Sequence, residues 1–193
     1  SFPTRRSSDL LFGRRYILNK KQKYTFISLM LASTVAAYAQ YQMNVFSIDL
    51  ITAYQISASR FAFLFTAPML PAIFLSIPLG KLSDKIGYRN AIQLGLAFTI
   101  LGLTGRIFAE SYSTLWICMA FSGASSITLF VNSARVLEEV VPAEKSVLFM
   151  GIYTTASMLA QTFATATSAV LYSTLQKAYV GALVYAVVIT VIW

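Results

Sequence analysis

The chain has 193 residues, 57% of them hydrophobic and only 11% charged, with a mean hydropathy of +0.67. Soluble domains carry about a quarter charged residues, so an ordinary soluble globular protein is excluded and an integral membrane protein, embedded in the lipid bilayer, is expected. The net charge is +8, but the basic residues sit at the ends of apolar segments rather than in one patch, so no nucleic acid partner is expected. The absence of histidine rules out imidazole metal sites and histidine proton relays in this stretch. A lone cysteine, Cys118, rules out a disulfide framework and reads as a small apolar packer. With no activated nucleophile pair, metal cluster or phosphate loop in the sequence, neither an enzyme nor a cofactor is expected.

In chain order, residues 1–10 read as the translation of a common sequencing adapter and are set apart as a non-native tail. Residues 11–23 form a basic segment with Arg14, Arg15, Lys20, Lys21 and Lys23. Residues 24–193 then hold apolar runs at about 24–47, 57–79, 90–109, 113–136, 147–172 and 178–193. The last run is shorter than the roughly 20 residues a span needs, so a truncated sixth helix and an incomplete gene are expected. Lipid offers the backbone no hydrogen-bond partner, so the runs must be helices. The expected fold is all-α, a polytopic membrane helical bundle with six transmembrane helices in one domain. Pro68, Pro71 and Pro78 predict bends in the second helix.

Orientation follows from Lys and Arg. The N-terminal basic segment, Lys81, Lys85 and Arg89 after the second span, and Arg135 and Lys145 around the fourth–fifth connection lie on one side. The other side has Arg60, Arg106 and Lys177. The positive-inside rule places the N-terminus in the cytoplasm of a multi-pass cell-membrane protein.

The run Gly80-Lys81-Leu82-Ser83-Asp84-Lys85-Ile86-Gly87-Tyr88-Arg89 interrupts this apolar chain with charges and glycines. Its pattern resembles the cytoplasmic loop motif between helices two and three of the major facilitator superfamily, with Asn90 departing from the usual second basic residue. The resemblance covers about residues 11–193 and implies the N-terminal six-helix half of a twelve-helix transporter. A C-terminal six-helix half of the same chain would be its missing partner. Physically, Gly80 allows close helix approach and Gly87 a sharp turn. Asp84 can accept from N–H groups at a helix N-terminus. Arg89 can pair with Glu138, or secondarily Glu139, at the end of the fourth helix. The resemblance implies that such a cluster, with Lys85, latches the two halves. The plainer reading of Lys81, Lys85 and Arg89 is that they only set topology. Two other family signatures are missing: the membrane-embedded Arg of helix four is replaced by Met119, and the Gly-Pro motif of helix five is absent from 160–165. Drug–proton antiport loses weight accordingly.

Polar residues recur on single helical faces: Ser33, Ala37, Gln40, Asn44 and Ser47 in the first helix, Ser125, Thr128 and Asn132 in the fourth, Thr154, Met158, Gln161, Thr165 and Ser168 in the fifth. The resemblance implies that helices one and four line a central cavity, with help from five. Gln40, Asn44, Asn132 and Gln161, with Tyr41 as a wall, are the expected substrate contacts. For the Ser and Thr residues, hydrogen bonding to their own helix is the plainer reading. Arg106, near the outer end of the third helix, is read as snorkelling to headgroups or pairing with Glu110, with anion contact as the alternative. The expected function is secondary active transport of a small polar or anionic solute by alternating access, with a weak resemblance to permeases of the cyanate and nitrate type. The alternative is a self-contained six-helix channel or sensor.

Overall fold

The computed structural model describes residues 18–193. The adapter-like start and Arg14 and Arg15 lie outside the described residues. Those described are helical, with no strand among them. Helix α1 (Lys20–Tyr41) starts earlier than expected because Asn19 and Gln22 form a capping box, Asn19 N donating to Gln22 Oε1 at 2.9 Å. It ends in a 3-10 turn, Gln42–Asn44, followed by the short α2 (Ser47–Ala53). The first apolar run is therefore bent, not one rod.

The second run is also broken. Helices α3 (Ala58–Thr66) and α4 (Met69–Ile86) meet at Ala67 and Pro68, where the proline offers no N–H to continue the ladder. Pro71 falls in the first turn of α4, where N–H groups lack intrahelical partners anyway, and Pro78 is accommodated inside α4. Helix α4 runs through the charged motif: Gly80 to Ile86 are its last turns, not a loop. Gly87 alone separates α4 from α5 (Tyr88–Ile107), at φ 78°, a conformation that favours glycine. Ser111 caps α6 (Tyr112–Val140), accepting from Thr114 N at 3.2 Å. Helix α7 (Ala143–Leu171) follows Pro142. Thr174 caps α8 (Leu175–Ile192), accepting from Lys177 N at 3.4 Å.

Helix α6 is the centre of the bundle, packed against α1, α4 and α5. Helix α5 meets it along Gly95, Thr99, Gly102 and Arg106, which recur at four- and three-residue steps on one face. Small residues let these backbones approach: a Cβ on Gly102 would come within 2.8 Å of the Cys118 carbonyl. Thr99 and Ser125 hydrogen-bond across the seam at 2.6 Å. The buried core continues through Leu29, Ile92, Leu96, Leu129 and Val136.

By length and composition, the spans Ala58–Ile86 (α3 with α4), Tyr112–Val140, Ala143–Leu171 and Leu175–Ile192 can each cross a membrane. Helices α1 and α5 fall short of that measure, against the six spans expected. Neighbouring helices explain it for α5: Ala91, Ile92, Gly95, Leu96, Thr99, Gly102, Leu103 and Arg106 are covered by protein, so fewer of its side chains must satisfy lipid. The helices on the outside instead expose Phe74, Ile77, Leu159, Phe163, Val170 and Val191. Such apolar surface suits a bilayer and would be an aggregation hazard in water.

Candidate functional site

A cleft of about 310 Å3 opens between α1, α6 and α7. Helix α1 contributes Ser33, Ala37, Gln40 and Tyr41; α7 contributes Tyr153, Thr154, Ser157, Met158 and Gln161. Three of the expected contacts, Gln40, Tyr41 and Gln161, therefore meet on one cavity. Tyr41 is held edge-on against Phe65, ring centroids 5.7 Å apart. The hydroxyls of Ser33 and Thr154 bond their own helices, to Met30 O at 2.7 Å and Gly151 O at 2.9 Å, as the plainer reading of such residues has it.

Helix α6 shows a different face from the expected one. Ser126, Leu129 and Phe130 line the cleft. Ser125, Thr128 and Asn132 turn towards the protein interior and are buried. Asn132 is thus corrected from a substrate contact to a helix pin: its Nδ2 donates to Ser83 Oγ at 3.0 Å and to Thr128 O at 2.7 Å, tying α6 to α4. One residue of offset is 100° around a helix, which suffices to exchange the two faces. Asn44 sits exposed in the 3-10 turn and does not line the cleft. Tyr153, Ser157 and Phe130 were missed, although Tyr153 and Ser157 continue with Gln161 at four-residue steps.

Replacing Asn132 with leucine is expected to lower thermal stability by about 1 kcal/mol, the scale of interhelical hydrogen bonds in membranes, and to leave the KM for solute unchanged. Detergent unfolding and uptake kinetics on the same preparation check this.

Beside the Asn132–Ser83 bond, Asp84 Oδ1 pairs with Arg135 Nη2 at 2.7 Å. This differs from the expected bond to a helix N-terminus. It arises because α4 stays helical through Ile86, which sets Ser83 and Asp84 against Asn132 and Arg135, three residues apart on α6. Lys85 lies exposed in the last turn of α4, where a cation complements the helix dipole. Gly80 does not mediate close packing: a Cβ there would meet nothing within 4 Å. Arg89 forms no ion pair with Glu138 among the described residues. Glu138 borders α7 beside Ser146 and Met150. Glu139 instead shares a polar pocket of about 220 Å3 with Arg89, Lys21 and Tyr88.

Arg106 is not a snorkelling residue. It is 2% exposed, its Nη1 donates to Ala39 O at 2.6 Å, and its Nη2 bonds Ser122 Oγ. The Tyr179 ring lies 6.0 Å from its Cζ. It extends the protein-facing stripe of Gly95, Thr99 and Gly102, a spacing already readable in the sequence. Met119, which stands at the missing helix-four arginine, is buried. The guanidinium reaching Ser122 on that helix comes from α5 instead.

A search of curated proteins finds no match to the chain. The family model of the Major Facilitator Superfamily matches residues 29–193, from within α1 to the end of the chain. Apolar helices packed around α6 and the Gly80–Arg89 motif at the α4–α5 junction agree with that match, and the chain belongs to the Major Facilitator Superfamily, a superfamily of multi-pass membrane transporters.

Proposed function

We propose that the chain forms the substrate-binding half of a secondary active permease, moving a small polar or anionic solute by alternating access. The observation that carries this reading is the meeting of Gln40, Tyr41 and Gln161 on one cleft between α1, α6 and α7. Amide side chains are costly against lipid unless a polar partner uses them, and a cleft that carries such groups along the middle of α6 and α7 and the end of α1 suits a solute path. Family membership favours the carrier over a self-contained channel or sensor. On this reading a second six-helix half closes the cleft, the N-terminus and the Gly80–Arg89 end face the cytoplasm of a cell membrane, and Asp84, Gly87, Arg89 and Glu139 belong to a conformational latch. Any coupling to a symported ion rests with groups other than the cleft amides, which do not titrate.

Uptake by the full-length protein in proteoliposomes, screened across small polar and anionic solutes, tests this. For the solute found, Gln40→Ala or Gln161→Ala is expected to raise KM by about tenfold, the equivalent of one lost polar contact, without changing thermal stability. A KM unchanged in both variants would remove the cleft from the solute path.

A further inference from the structure

A second cavity, of about 540 Å3, lies at the end of the bundle opposite the Gly80–Arg89 motif, between α2, the α5–α6 turn and the start of α8. It shares no lining residue with the cleft. Arg106 and Tyr179 line it, and they are 2% and 1% exposed. The partners of the Arg106 guanidinium, Ala39 O, Ser122 Oγ, Met43 Sδ and the Tyr179 ring, are all neutral. Its Nε has no partner, and neither does the Tyr179 hydroxyl. A buried charge without a counter-charge is strongly disfavoured unless something else supplies one. Leu175 and Gln176, the first residues of α8, line the same cavity. Their helix end carries a positive dipole, although Thr174 already caps its Lys177 N–H. Guanidinium, phenol and helix end all favour an anion.

The mouth has the opposite character. Asp49 and Glu110 line it, both exposed, and neither forms an ion pair with Arg106 among the described residues. A simple anion in the cavity would share it with two exposed carboxylates. A simple amine would satisfy the carboxylates and leave Arg106 uncompensated. We propose that this cavity binds a small amphoteric solute, its carboxylate against Arg106 and Tyr179 and its ammonium between Asp49 and Glu110. Both ends of such a solute then find opposite charge, and its zero net charge avoids repulsion at the mouth.

Binding, not uptake, tests this, so the result is independent of the carrier reading. Glycine, β-alanine and γ-aminobutyrate, which differ in charge separation, are titrated calorimetrically into the full-length protein in nanodiscs, beside acetate and ethylamine. At least one of the three amphoteric probes is expected to bind saturably and about tenfold tighter than acetate or ethylamine. Tyr179→Phe keeps the ring and is expected to weaken that binding several-fold. Asp49→Asn with Glu110→Gln is expected to bring it down to the level of acetate, and Arg106→Gln to abolish it. No saturable binding by any amphoteric probe overturns the proposal. So does acetate binding as tightly as the best of them, or binding unchanged by Tyr179→Phe and by the Asp49/Glu110 pair, two tests that survive even if Arg106→Gln fails to fold.

Discussion

Asp84→Ala is expected to abolish uptake by the full-length protein while leaving membrane insertion and thermal stability close to wild type. The two halves of that expectation have separate causes. The Asp84 and Arg135 side chains are 64% and 34% exposed, so water screens the pair. Ion pairs of this kind contribute about 0–1 kcal/mol, too little to hold the bundle together. The pair nevertheless joins the last turn of α4 to α6 at 2.7 Å, beside the buried Ser83–Asn132 bond. If that end of the bundle must be held and released once per cycle, the carboxylate matters to the cycle rather than to the fold. Exchanging the charges, with Asp84→Arg and Arg135→Asp together, is expected to restore part of the uptake, and a double-mutant cycle on transport rate measures the coupling. Lys85→Ala, which touches only an exposed helix terminus, is expected to leave uptake unaltered. Wild-type uptake by Asp84→Ala at equal expression would sink the latch.

Gly123→Ala is expected to be the most destabilising Gly→Ala change among the described residues. A Cβ at Gly123 would fall on the backbone atoms of Pro68, at the break between α3 and α4. Backbone cannot rotate away as a flexible side chain can, so α6 and the α3–α4 break must separate. Overpacking of this kind costs about 1–3 kcal/mol, and Gly123→Val should exceed that. Gly80→Ala is the control with the opposite sign. It lies inside α4 with nothing within 4 Å of the added carbon, so the gain in helix propensity, about 1 kcal/mol, is not offset by any clash. Thermal unfolding in detergent, followed by exposure of the buried Cys118 thiol, reads both changes. If Gly123→Ala unfolded at the wild-type temperature, the close contact with Pro68 would not exist.

Several structural features were readable from residue chemistry alone. The apolar runs located the helices to within a few residues at most ends, because chain in lipid must bond internally wherever it is apolar for long enough. The break at Pro68 followed from a missing N–H. The turn at Gly87 followed from a backbone conformation other residues resist. Capping explains the error at the start of α1, since Asn19 and Gln22 pull basic residues into the helix. The bend at Gln42–Asn44 had no glycine or proline to announce it.

What stayed illegible was phase. In a soluble protein one helix face is apolar and marks the core. Here lipid and core are both apolar, so periodicity shows that Ser125, Thr128 and Asn132 share a face without showing where that face points. That is why Asn132 was assigned to the cleft when it pins α4, and why Glu138 was ranked ahead of Glu139 for Arg89 when Glu139 shares its pocket. The same ambiguity hid Arg106, a cation expected at the headgroups and found buried among neutral partners. Composition, helix positions and the Gly80–Arg89 motif belong to the sequence by itself, because they depend on each residue's own chemistry and its neighbours along the chain. The Asp84–Arg135 pair, the cleft of Gln40, Tyr41 and Gln161, and the burial of Arg106 were decided only by the tertiary structure. Each depends on how far one helix is rotated against another, and packing sets that angle.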